Sequence, residues 1–107
     1  MATGILGSTK LTGSGANTVY TVPSAKVASL TINALNTDSS LTAKVSLALT
    51  SNTAGVGMNE YIEYNASIPP NGVLERTGIV IDANKSVVAN SVSNTVVVMI
   101  YGYEESA

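Results

Sequence analysis

Alternation with a period of two governs the middle of this chain. In residues 26–36, Ala28, Leu30, Ile32 and Ala34 fall on one side and Ser29, Thr31 and Asn33 on the other. In residues 41–50, Leu41, Ala43, Val45, Leu47 and Leu49 oppose Thr42, Lys44 and Ser46. Successive side chains of a strand point to opposite faces, so each segment reads as a strand with one face in a core and one in water. No window sustains an apolar period of three to four residues, and β-branched residues dominate. Turn residues recur roughly every 8–12 positions, the spacing of an all-β chain.

The remaining segments extend that pattern. Residues 17–22 form a short strand stopped by Pro23, which has no ladder donor. Residues 60–65 set Ile62 and Tyr64 against Glu63, and residues 73–81 carry Gly78 as a bulge or close backbone approach. Pro69-Pro70-Asn71-Gly72 is a turn with Pro70 second, Asn71 third and Gly72 closing. It is expected to join these two arms as a hairpin. The turn at 36–40 makes a long hairpin of 26–50, and Ser93-Asn94 joins 86–91 to 95–103 as another. Residues 95–101, TVVVMIY, have almost no polar alternation. Both faces of that strand should be covered, by the sheet's interior position or by another subunit.

Residues 51–59 are the loosest stretch and read as a surface contact loop, whereas residues 1–15 read as an edge strand or an arm lying on a neighbour. About eight strands at meander spacing in 107 residues give a single domain, 1–107: a two-layer antiparallel β-sandwich of jelly-roll or immunoglobulin-like type.

Composition limits the chemistry. Only 11% of residues are charged, against roughly 25% in an average soluble domain, so the surface must be covered by Ser, Thr and Asn or partly by other protein. A net charge of −2 with four scattered lysines argues against nucleic acid as a partner, because phosphate affinity needs clustered Lys and Arg. No apolar run approaches the ~18 residues that cross a bilayer, and no basic leader opens the sequence, so synthesis in a cytoplasm without membrane insertion is expected.

Histidine and cysteine are both absent. That removes the commonest general base, the thiol nucleophile, disulfides and the imidazole and thiolate metal ligands. Glu63 and Glu75 are the remaining acid and base pair; their simpler reading is as solvated charges near Arg76. Asp38, Asp82, Glu60 and Glu63 lack calcium-loop spacing. Single glycines indicate no phosphate cradle. Two glycosylation-like triplets, at Asn65 and Asn84, are short enough to arise by chance. The expectation is a non-enzyme without cofactor or metal. Tyr61, Tyr64, Tyr101 and Tyr103 suit either the rim of a core or a sugar platform.

Several segments carry a family resemblance: Met1-Ala2-Thr3-Gly4-Ile5-Leu6-Gly7-Ser8, Thr18-Val19-Tyr20-Thr21-Val22-Pro23, Tyr61-Ile62-Glu63-Tyr64, and Pro70-Asn71-Gly72-Val73-Leu74-Glu75-Arg76-Thr77-Gly78. Together they resemble small virion structural proteins of tailed bacteriophages, including those of cyanobacteria. The resemblance implies a non-enzymatic β-sandwich present in many copies on the particle, with the TVYTVP and PNGVLERTG segments as framework.

It implies a capsid decoration or cement protein that binds the outer shell, with the major capsid protein or other virion proteins as partners and a homo-oligomer as the working form. A tail or baseplate component is the alternative, and a carbohydrate-binding or adhesin module a further one. Assembly contacts are expected at Ile5 and Leu6, at Val56 and Met58 in the loop, and at Val97, Met99, Tyr101 and Tyr103 on the last strand.

Overall fold

The computed structural model describes residues 3–12 and 16–106. Its strands are β1 (Thr3–Lys10), β2 (Asn17–Thr21), β3 (Lys26–Asn36), β4 (Ala43–Thr50), β5 (Tyr61–Ile68), β6 (Val73–Asp82), β7 (Ser86–Asn90) and β8 (Val96–Ser106). A 3-10 turn, Met58–Glu60, precedes β5. Sheet A has the order β1-β8-β3-β6 and sheet B the order β2-β7-β4-β5, with every pairing antiparallel.

Only β4 and β5 are neighbours in both chain and sheet; every other connection crosses between layers. An immunoglobulin sandwich keeps several consecutive strands side by side, as its first two are. The order seen here is that of a jelly roll. The apolar faces expected from alternation do meet in the middle. Leu30, Ile32, Val98 and Ile100 of sheet A and Val45, Leu47, Ile68 and Val87 of sheet B all belong to the one buried core. Leu41, expected inside, is 67% exposed because β4 begins only at Ala43.

The three expected hairpins are corrected. β3 and β4, β5 and β6, and β7 and β8 each lie in different sheets. The turns form where their residues predict, but they carry the chain between sheets rather than closing hairpins. In Pro69-Pro70-Asn71-Gly72 the Gly72 N–H donates to Pro69 O at 2.8 Å, with Asn71 at φ 56°. The same device recurs at 82–85 with Asn84 at φ 66°, and at 23–26 with Ala25 at φ 61°. A positive φ at the third position is the type II signature. All three turns carry the chain across the sandwich rather than back along one sheet.

One buried side chain ties three crossings together. Asn36 ends β3, and its Nδ2 donates to the carbonyls of Leu41 (2.9 Å), Ile68 (3.1 Å) and Pro69 (3.3 Å). Its Oδ1 accepts from the Asp38 N–H at 3.0 Å and the Thr95 hydroxyl at 2.9 Å. The links from β3 to β4, β5 to β6 and β7 to β8 are thereby fixed to a single residue. A buried carboxamide satisfied this fully specifies one arrangement of the connections.

Thr3–Lys10 is the edge strand of sheet A, paired along β8. The part of the expected N-terminal arm at residues 1, 2 and 13–15 lies outside the described residues. Gly78 is the expected bulge: Thr77 and Gly78 oppose the single residue Thr31, and Gly78 takes φ 71°.

Candidate functional site

Irregularity in β5 builds a groove on the outward face of sheet B. Val45 pairs with Ala66 and Leu47 with Glu63, so Ser46 faces two residues, Tyr64 and Asn65. Ala48 pairs with Tyr61, leaving Ile62 as a second extra residue. The Asn65 N–H donates to the Ser46 hydroxyl at 3.0 Å, and Asn65 takes φ 50°, a region asparagine tolerates.

In a regular strand Tyr61 and Tyr64 would point to opposite faces. Here they meet edge to face, with ring centroids 5.0 Å apart and planes at 74°. The expected pairing of Ile62 with Tyr64 on one face is corrected for the same reason: Ile62 packs on the core while Tyr64 is 56% exposed.

These rings wall a groove of about 220 Å³ that is completed by Lys44 and Ser46 of β4, Asn65, Asn90 at the end of β7, and Ser91 and Val92 beyond it. The Ser91 hydroxyl donates to Lys44 O at 2.6 Å, fastening that end of the groove. A smaller depression of about 160 Å³ lies at Leu49, Thr50, Glu60, Val80, Asp82 and Lys85. Its Lys85 and Asp82 are already paired at 2.8 Å. In the first groove Lys44 is the sole charged side chain, and no carboxylate pairs with it among the described residues.

The outward face of sheet A is different in kind. Reading across the strands by register, Thr3, Tyr103, Ser29 and Val80 form one row; Ile5, Tyr101 and Thr31 the next; Ser8, Met99, Asn33 and Glu75 a third; Lys10, Val97, Leu35 and Val73 a fourth. Ile5 and Val80 are each 68% exposed, and Tyr101 and Tyr103 stand open beside the half-buried Val97 and Met99. Apolar and aromatic groups run along β8 with Ile5 beside them, the polar Ser29, Thr31 and Asn33 of β3 separate that stripe from Val80 on β6, and Lys10 and Glu75 stand at the margins. The Tyr101 hydroxyl donates to Glu75 at 2.9 Å, and that bond raises the phenol's pKa.

Among the expected contact residues, Ile5, Val97, Met99, Tyr101 and Tyr103 therefore share one face. Leu6, the bulged residue of β1, packs against the core instead. Val56 is half-buried and Met58 exposed, both in the β4–β5 connection. That connection is internally braced: the Glu60 carboxylate accepts from the Gly57 N–H at 2.7 Å and the Thr50 hydroxyl at 2.9 Å. β8 is an interior strand of its sheet, as one of the two readings of TVVVMIY required, yet among the described residues its outward side is not covered. The four tyrosines do not form one platform, because Tyr61 and Tyr64 are on sheet B and Tyr101 and Tyr103 on sheet A.

The acidic residues are engaged locally. Glu63 binds Arg76 at 2.9 Å, closing the seam between the edge strands β5 and β6. Glu75 binds Tyr101, and neither glutamate lines either depression. Asp38 accepts from the Ser40 and Leu41 N–H groups, which hold its carboxyl below the usual range, and the Lys85 ammonium does the same for Asp82.

Glu104 is buried and accepts the hydroxyl of buried Tyr20 from the other sheet. Burial, reinforced by that carboxylate, pushes the Tyr20 phenol up. Counting in twos from Val96 through Val98, Ile100 and Gly102 reaches Glu104, so its inward direction was available. A scan against protein-family models and a search of curated proteins found no match for the chain.

Proposed function

We propose that this chain is a non-enzymatic virion structural protein of a tailed bacteriophage, a capsid decoration protein that docks on the outer shell through the outward face of sheet A. The observation that carries this reading is the outward stripe of Val97, Met99, Tyr101 and Tyr103 along β8, with exposed Ile5 of β1 beside Tyr101. Single exposed apolar residues are ordinary, but a continuous stripe with two tyrosines and a polar margin has the make-up of an interface. The jelly roll is an architecture common in viral shells. The resemblance of the N-terminal, TVYTVP and PNGVLERTG segments to phage virion proteins supports the same reading, with the major capsid protein and further copies of this chain as partners.

Cosedimentation with expanded capsids tests it. Purified protein is expected to pellet with the shells in a saturable ratio and to raise their resistance to heat. Protein that stays in the supernatant at every concentration overturns the reading. Labelling confined to tails on intact particles moves the chain to the tail or baseplate.

A further inference from the structure

We infer that the groove between Tyr61, Tyr64 and Asn90 on the outward face of sheet B binds an acidic sugar, one carboxylate-bearing unit of a surface polysaccharide. The inference does not depend on the virion reading, since it concerns the opposite sheet.

Three features of the groove converge on that ligand. The bulges of β5 bring two tyrosines onto one face, and the edge-to-face contact at 5.0 Å leaves the Tyr64 ring more than half exposed. An immobilised aromatic face of this kind is matched by the C–H face of a pyranose, and the phenolic tip by its hydroxyls.

Asn65 and Asn90 line the groove, and neither side-chain amide is engaged within the described chain. Each offers a donor and an acceptor together, the combination that sugar hydroxyls require. Lys44 supplies the only charge and has no carboxylate of its own among the described residues, so the charge it complements is an anion. A volume near 220 Å³ is below the roughly 300–1,000 Å³ of drug-sized sites and suits one ring, not a long chain segment.

An acidic peptide shares the charge but has no pyranose C–H face to lie on Tyr64 and no ring hydroxyls to meet the asparagines. The backbone hydrogen bond from Asn65 to Ser46 holds this arrangement in place before any ligand arrives, which lowers the ordering cost of binding.

The test is a titration of the isotopically labelled intact protein with three probes: an oligoglucuronate, a neutral oligoglucose of equal length, and oligoglutamate. Oligoglucuronate is expected to shift the Tyr61, Tyr64 and Asn90 signals and to bind roughly fivefold tighter than the neutral oligomer, the scale of one exposed charge pair. Tyr64→Ala, at an exposed position, is expected to weaken it about tenfold. Lys44→Gln should lower affinity for the acidic oligomer to near that for the neutral one. No shift with either saccharide overturns the inference. Equal binding of oligoglutamate, insensitive to Tyr64→Ala, also overturns it and leaves only charge attraction.

Discussion

The Tyr20 hydroxyl on β2 donates to the Glu104 carboxylate on β8, joining sheet B to sheet A through a buried polar contact. The phenol is held neutral in the folded protein because burial and the carboxylate both oppose a second negative charge. Its folded pKa is raised above the ordinary 10.0, so the proton is bound more tightly folded than unfolded. The resulting stabilisation is complete below pH 10 and is lost as pH rises beyond it, at up to about 1.4 kcal/mol per pH unit. Urea unfolding of the wild type at pH 8 and pH 11 is expected to show that loss. Tyr20→Phe should be less stable at pH 8 by about 1–3 kcal/mol, since Glu104 loses its donor, and should show a smaller further drop at pH 11.

Ala25 and Gly78 share the same left-handed backbone region, at φ 61° and 71°. A β-carbon is strained there, so Ala25→Gly is expected to stabilise by about 0.5–1 kcal/mol after the greater freedom of glycine in the unfolded chain is counted. Gly78→Ala is expected to destabilise by about 1–2 kcal/mol. A β-carbon at Gly78 meets nothing within 4 Å, so backbone strain is its whole cost. Gly102→Ala is the contrasting case: its β-carbon would lie 2.1 Å from Ser29 O, between paired strands. That variant is expected not to fold. Thermal denaturation ranks Ala25→Gly and Gly78→Ala against the wild type, and Gly102→Ala is expected to show no cooperative transition.

Strand positions were legible because alternation reports burial locally: Ala28, Leu30, Ile32 and Ala34 are all inside. Partnership was not, because a Pro-Asn-Gly turn has the same local chemistry whether its arms pair or separate. What separates β5 from β6 is distant: the Gly72 carbonyl accepts the Asn36 N–H, and the carboxamide of Asn36 takes up Ile68 and Pro69. The groove was hidden for a related reason. Tyr61 and Tyr64 are an odd number of residues apart, and only the extra residues in β5 relative to β4 put them together. The outward apolar side of β8 was readable from TVVVMIY, whereas its register with Ile5 and Val80 was not.

Asn36→Ala removes both arms of the contact among three crossings and deprives the buried Ile68 carbonyl of this donor. A loss of about 2–4 kcal/mol is expected. Asn36→Asp should recover little, because a carboxylate cannot donate to Leu41 O or Ile68 O. Chemical denaturation of both variants checks this, and an unaffected midpoint in either would remove Asn36 from its role as the tie.

The most direct measurement is a reconstruction of the intact phage particle at side-chain resolution. Val97, Met99, Tyr101 and Tyr103 are expected against the capsid shell or a neighbouring copy, with the Tyr61 and Tyr64 groove turned outward. A particle that carries this chain with the outward face of sheet A bare to solvent would contradict the assignment of that face, and a particle without it would contradict the proposed function.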